Sequence, residues 1–207
     1  MLDKEHWEIK HKESYGKYHR VTDFARFCFY NFMKDKKGKV LDLCCGKGAD
    51  AVFFYNKGFN VTAIDYSAEA IAQFNEKQKE YDVFISNLVK DISEGLPFED
   101  NSFDYVYVRL GLHYFKDEKL REVVDEIKRV LKNSGKLMFQ VKSTADKEYG
   151  KGEEIETDMY QDESGYIRHF FSKDYAVSIL DGFNVIVNEE RIIHNGSAYL
   201  EVIAQLD

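Results

Sequence analysis

Residues 39–65 read KVLDLCCGKGADAVFFYNKGFNVTAID, and this stretch decides the fold. Val40 to Leu43 is an apolar run of strand length, closed by the turn Cys44-Cys45-Gly46-Lys47-Gly48. Residues 49–57 carry a helix that stops at Gly58, and Phe59 to Ile64 is a second strand ending at Asp65. Glycines directly after a strand let backbone come close to a ligand, while the next helix offers unpaired N–H groups and the positive end of its dipole. Gly46-Lys47-Gly48-Ala49-Asp50-Ala51 satisfies G-x-G-x-x-G/A. Asp65 lies 19 residues past Gly46, where a carboxylate accepts hydrogen bonds from ribose hydroxyls. The string alone fits a nicotinamide cofactor as well as any other adenosine ligand. A tight strand-to-helix turn that binds nothing reads the same way.

Downstream the alternation continues. Ser67 caps a helix over Ala68 to about Glu80, Val83 to Val89 is a third strand, and Phe103 to Val108 is a fourth. Leu120, Val123, Val124, Ile127, Val130 and Leu131 share one helical face, closed by Asn133-Ser134-Gly135, and Lys136 to Val141 is a fifth strand. Short apolar strands alternating with helices predict a parallel sheet covered on both faces. Residues 143–166 break the rhythm: they are polar, rich in Asp, Glu and Gly, and read as a loop or lid. Ser172 caps a short helix to about Leu180. Phe183 to His194 and Ser197 to Gln205 are two strands joined by Asn195-Gly196, a dipeptide suited to a type I′ turn. Upstream, Val21, Phe24, Ala25, Phe27, Cys28, Phe32 and Met33 predict an amphipathic helix over 18–34, closed by Lys36-Lys37-Gly38.

The chain has 207 residues, within the range of one compact domain. Its 44% hydrophobic and 32% charged residues, with the single proline Pro97, exclude disordered and collagenous classes. The 29 basic and 37 acidic residues give a formal charge of −8, which argues against a duplex nucleic-acid footprint but not against a local basic patch. Three cysteines, two of them the adjacent Cys44 and Cys45, suggest reduced thiols and no metal site. The polar N-terminus MLDKEHWEIK lacks the apolar core of a signal peptide, and no apolar run is long enough to span a membrane. A soluble cytoplasmic protein is expected.

Three features sharpen the ligand question. Asp42 stands inside the first strand, where a dinucleotide-binding fold has an apolar residue. Asp91 follows the third strand, so Asp42, Asp65 and Asp91 are expected at three adjacent strand ends lining one crevice. The chain then ends in an antiparallel hairpin that a dinucleotide-binding domain does not need. VLDLCCGKGAD, with VTAIDYS, VKDISEGLPFEDNSFDYVYVRLGLHYF and EIKRVLKNSGKLMFQV, resembles a class I S-adenosylmethionine-dependent methyltransferase over residues 37–142, and the hairpin agrees with that family's last two strands. Within the family the chain is similar to small-molecule methyltransferases, loosely including the tellurite-resistance group through TDMYQDESGYIRHFFSKDYA.

The resemblance implies S-adenosylmethionine as cofactor and a role for each matching position. Asp42 is expected near the methionine ammonium, and the backbone from Cys44 through Gly46 to Gly48 beside the methionine and ribose. Asp65 is expected to accept both ribose hydroxyls, Tyr66 to lie on the adenine face, Asp91 and Ile92 to meet its edge, and Arg109 with Leu110 to stand near the sulfonium. The family usually has glycine where Cys44 stands, so a positive φ there would be strained.

Methyl transfer from a sulfonium depends mainly on alignment, and a base matters only when the acceptor carries a proton to lose. His113 is the candidate base; a half-buried histidine capping Leu112–Phe115 is the competing reading. Arg168 is a candidate clamp for an anionic acceptor, against an exposed arginine paired with the acidic loop. Trp7, Tyr15, Tyr18 and His19 are the residues of a lid, or ordinary packing contacts. Cys44 and Cys45 beside a helix N-terminus are either redox-sensitive thiols or, the favoured reading, small apolar fillers.

The expected fold is α/β, a doubly wound Rossmann-like sheet of seven strands, mostly parallel with an antiparallel C-terminal hairpin. The expected organisation is a single domain: N-terminal cover and helix over 1–36, cofactor core over 37–142, substrate-side loop over 143–171, C-terminal helix and hairpin over 172–207. Methyl transfer to a small molecule is the expected function, by a monomer or homodimer with no duplex nucleic acid or membrane as partner. The alternatives are an NAD-linked oxidoreductase, a methyltransferase acting on RNA or protein, and a module that binds the cofactor without turnover.

Overall fold

The strand–helix alternation builds two sheets in a computed structural model that describes residues 4–15 and 20–207. In chain order the elements are α1 (Lys4–Glu13), α2 (Asp23–Cys28), β1 (Lys39–Leu43), α3 (Ala49–Asn56), β2 (Asn60–Asp65), α4 (Ala68–Tyr81), β3 (Ser86–Val89), β4 (Phe103–Arg109), α5 (Asp117–Val130) and β5 (Leu131–Lys142). Then come β6 (Glu153–Glu156), β7 (Met159–Gln161), β8 (Ile167–His169), α6 (Lys173–Ser178), β9 (Phe183–Ile192) and β10 (Ala198–Leu206).

The larger sheet has seven strands in the order β3-β2-β1-β4-β5-β10-β9. The pairs from β3 to β5 are parallel, and β10 runs antiparallel to β5 and β9. This is the mostly parallel, doubly wound sheet with an antiparallel hairpin that the sequence predicts. Phe24 of α2, Phe54 of α3 and Phe74 of α4 pack with Tyr107 and Ile203 on one face; Leu120 and Ile127 of α5 and Ala176 of α6 pack with Val106, Phe139 and Val202 on the other. Chain order reverses between β1 and β4, so connections leave their C-terminal ends toward opposite faces and open a crevice there. No helix among the described residues is long and apolar enough to cross a membrane.

Several local expectations change. The helix predicted over 18–34 begins at Asp23, with Thr22 as its cap, and widens over Phe29–Met33 into a π-helix, where the Lys34 N–H donates to the Phe29 carbonyl at 2.7 Å. The extra residue per turn lets Phe24, Ala25, Cys28, Phe29 and Met33 all stay buried. Asn133-Ser134-Gly135 does not stop α5; it is a bulge within β5, with Ser134 at φ 62 and the pairing to β4 shifted around it. The type I′ turn is absent. Only Gly196 has positive φ, at 82, and its N–H donates to the Ile193 carbonyl at 2.9 Å, which is a type I turn closed by a glycine bulge. Residues 143–166 are no open loop: β6, β7 and β8 form a three-stranded antiparallel sheet. The N-terminal segment, read only as a cover, contains α1.

Candidate functional site

The crevice between the ends of β1 and β4 is a cavity of about 460 Å³. Its floor comes from Cys44, Cys45, Gly46 and Lys47 after β1, Asp65 and Tyr66 at the end of β2, and Arg109, Leu110 and Gly111 leaving β4. Trp7, Lys10 and His11 of α1 roof it, while Arg20, Thr22, Asp50 and Tyr114 complete the wall.

The floor is shaped by backbone. Gly48 caps α3 at φ 73, a left-handed conformation, and a Cβ there would overlap the Phe74 ring. Cys44 does adopt positive φ, 58, and Leu110 across the crevice has φ 54. Two non-glycine residues in this region at one cavity mark stored strain. The side chain of Cys44 is accommodated because its neighbour is glycine: a Cβ on Gly111 would lie 2.6 Å from the Cys44 Sγ. Burial, with Asp65 and Asp42 nearby, pushes the Cys44 and Cys45 thiols well above their ordinary pKa, so they are neutral fillers and not activated thiolates.

Asp65 is pinned from two sides. Its Oδ2 accepts the Gly46 N–H at 2.8 Å and its Oδ1 the Ser67 N–H at 2.9 Å. Burial nevertheless pushes its pKa up to about 6, with Glu8 adding to the shift. Asp50, in the first turn of α3, accepts from the Thr22 N–H and hydroxyl and from the Tyr107 hydroxyl, each at 2.8 Å, tying the approach to α2 onto the cavity.

α1 is held by side chains from distant parts of the chain. Glu8 accepts from the Ser67 hydroxyl at 3.0 Å and the Ala68 N–H at 2.8 Å, capping α4 beside Asp65. Gln73 donates to the His11 carbonyl at 3.0 Å, and the Lys47 ammonium to the Ser14 hydroxyl at 3.0 Å. On its other flank Trp7 meets Tyr114 at 5.5 Å between ring centres, and the Tyr114 and Tyr166 hydroxyls are hydrogen-bonded, joining the roof to the strand region that carries β8.

Among the sequence-predicted residues, Cys44, Gly46, Asp65, Tyr66 and Arg109 lie on the cavity wall. Trp7 also lies there, as the lid reading expects; Tyr15 instead donates to Glu76 at 3.0 Å, and Tyr18 and His19 fall outside the described residues. The other site residues are placed differently. Asp42 is 2% exposed, on the face of β1 that carries Val40, and burial followed by Asp50 and Asp65 raises its pKa well above the carboxylate range. Gly48 is buried behind the turn. Asp91 is buried and caps a short 3-10 turn, its Oδ1 accepting the Ser93 N–H at 2.9 Å, and Ile92 packs into the α5 core. His113 is 1% exposed with Nδ1 unpartnered, so it is neither half-buried nor on the cavity wall. Burial lowers its pKa well below the ordinary value, and Lys142, Arg168, His169 and Arg109 lower it further. Arg168 lies over the Tyr166 ring at 4.3 Å and 4.0 Å from Asp162, the pairing with the acidic segment. Sequence reading missed Lys10, His11, Arg20, Thr22, Asp50 and Tyr114; only Asp50, one residue inside the helix after the glycine turn, carried a signal.

Residues 40–135 match the family model described as a methyltransferase domain. Residues 40–135 therefore carry a methyltransferase-type domain, on a sheet of the order found in S-adenosylmethionine-dependent methyltransferases. Similar proteins include the demethylmenaquinone methyltransferase of Listeria welshimeri, 37% identical over 109 residues that cover 51% of this chain and 45% of that one. The fold is shared with the 1,6-didemethyltoxoflavin-N1-methyltransferase of Burkholderia thailandensis, solved with 1,6-didemethyltoxoflavin and S-adenosylhomocysteine bound. That structure has a TM-score of 0.75 at 17% identity, covering 97% of this chain and 88% of that one. It is shared also with TehB of Haemophilus influenzae, at a TM-score of 0.69 and 16% identity over 97% of this chain and 67% of that one. The chain spans less than half the length of the first curated relatives it matches.

Proposed function

We propose that this protein transfers the methyl group of S-adenosylmethionine to a small-molecule acceptor. One observation carries the reading: a buried carboxylate, Asp65, is fixed against the glycine turn at the point where a methyltransferase-type sheet reverses its strand order. The residues suit the cofactor. Asp65 takes the ribose hydroxyls and Tyr66 the adenine face; Asp91 and Ile92, buried off the cavity wall, bound the adenine side from behind. The turn from Cys44 to Gly48 passes the methionine portion, where the left-handed Gly46 and Gly48 keep side chains out of the way. When bound, the cofactor supplies a methyl group already activated by its sulfonium. The chain's own contribution is alignment and exclusion of water: Arg109 and Leu110 bound the reacting end, and Trp7, His11 and Tyr114 close over it. His113, buried off the wall, is not assigned a proton-transfer role.

The small acceptor is supported by the roof that α1 lays over the cavity and by the substrates named for the demethylmenaquinone and didemethyltoxoflavin enzymes. We place residues 37–142 as the cofactor core within one domain, with the flanking segments covering it. Three free cysteines fit a cytoplasmic setting. Calorimetric titration with S-adenosylhomocysteine, with NADH run in parallel, tests the reading. Saturable binding of S-adenosylhomocysteine alone is expected, and binding of NADH alone overturns it.

A further inference from the structure

The cavity wall is electropositive in a chain whose formal charge is −8. Lys10, Arg20, Lys47 and Arg109 line it against two carboxylates, Asp50 and Asp65. Both carboxylates are already engaged by protein donors, Asp50 by Thr22 and Tyr107 and Asp65 by backbone N–H groups. Lys47 is turned to Ser14. Lys10, Arg20 and Arg109 make no ion pair among the described residues: Lys10 lies over the Trp7 ring at 4.6 Å, and the Arg109 Nε donates to the Gln140 Oε1 at 3.1 Å. Trp7 lines the wall, while its indole N–H is buried within the roof without a hydrogen-bond partner. Cations on a cavity wall with no carboxylate paired to them favour an anion that enters it.

At two nearby groups burial shifts the pKa most, and neighbouring cations add to the shift. Lys10 is held below its ordinary pKa by burial and then by Arg168. His113, one residue before Tyr114 and off the wall, is lowered by burial and then by Lys142, Arg168, His169 and Arg109. The cofactor does not restore the balance, since it brings one carboxylate with an ammonium and a sulfonium. If its carboxylate takes one of the free cations, two more remain.

Resting on the methyltransferase reading, we infer that the acceptor is a small anion, whose carboxylate or similar oxyanion is gripped by Lys10, Arg20 and Arg109. The oxyanion is a recognition handle, and the methylated atom is a separate group of the same molecule. The roof and wall then select substrate charge as well as exclude water.

The test is calorimetry on the full chain saturated with S-adenosylhomocysteine, using matched probes: thioglycolate against 2-mercaptoethanol, and 4-hydroxybenzoate against 4-hydroxybenzyl alcohol. The anionic member of each pair is expected to bind at least tenfold more tightly. In the Lys10→Gln/Arg20→Gln double variant that preference is expected to fall below threefold. Equal binding within the pairs, binding by neither member, or a preference that survives the double variant overturns the inference while leaving the cofactor reading intact. Failure of S-adenosylhomocysteine itself to bind overturns the methyltransferase reading, and this inference with it.

Discussion

The floor and the roof of the cavity are built on different principles. The floor comes from strand ends: the turn after β1, Asp65 and Tyr66 after β2, and Arg109 to Gly111 after β4. The roof comes from α1, the approach to α2 and the Tyr114–Tyr166 contact, joined by side chains such as Glu8 reaching Ser67 and Ala68 across the chain. The floor depends on backbone geometry, which forces particular residue types. The roof depends on polar contacts that many residue types can supply. One should therefore be brittle to substitution and the other forgiving.

The largest effect is expected on the floor. Gly48→Ala combines strain at φ 73 with overlap on the Phe74 ring, and should cost about 3 kcal/mol of stability, read as a lowered urea midpoint. A variant as stable as the parent would show that the floor is not rigid.

Next comes pH. With its pKa raised to about 6, Asp65 is mostly neutral at lower pH, and ionisation makes both oxygens acceptors. Affinity for S-adenosylhomocysteine should therefore rise about tenfold between pH 5 and pH 7, and the rise should vanish in Asp65→Asn. The same raised value means that Asp65 contributes fold stability below its unfolded pKa, and that this contribution is lost as pH rises through about 6. A pH-independent affinity in the parent would remove Asp65 as the titrating acceptor.

On the roof, Glu8→Ala removes the distal cap of α4 and should cost about 1 kcal/mol, accompanied by faster release of S-adenosylhomocysteine in stopped flow. Unchanged release would mean that α1 does not retain the ligand. The smallest effect returns to the floor. Cys44→Gly relieves a positive φ but forfeits packing against Gly111, for a net gain of roughly 0.5 kcal/mol on thermal unfolding. A net loss would mean that packing outweighs strain.

The same contrast explains what the sequence discloses. β1, β2 and the glycine turn were legible because an apolar strand, a glycine and an acid at fixed spacing leave few alternatives. The parallel run and the antiparallel ending followed from the alternation and the terminal hairpin, while the order of the strands came only with the structure. Hidden were β6, β7 and β8, since three- and four-residue strands with Glu153, Glu154 and Glu156 exposed or half-exposed carry no apolar alternation. His113 was misplaced for a related reason: its position after β4 is legible, but the β8 region that buries it is not. Lys10 and Arg20 had no local signature, because their meaning arises only when segments far apart in sequence close over one cavity.

The most direct test is the affinity of S-adenosylhomocysteine for the parent chain and for Asp65→Ala at pH 7.5, measured by calorimetry. The account predicts one saturable site in the parent, weakened by roughly 1.5–3 kcal/mol in the variant through loss of hydrogen bonds to a charged group. Equal affinity in the two proteins would contradict it.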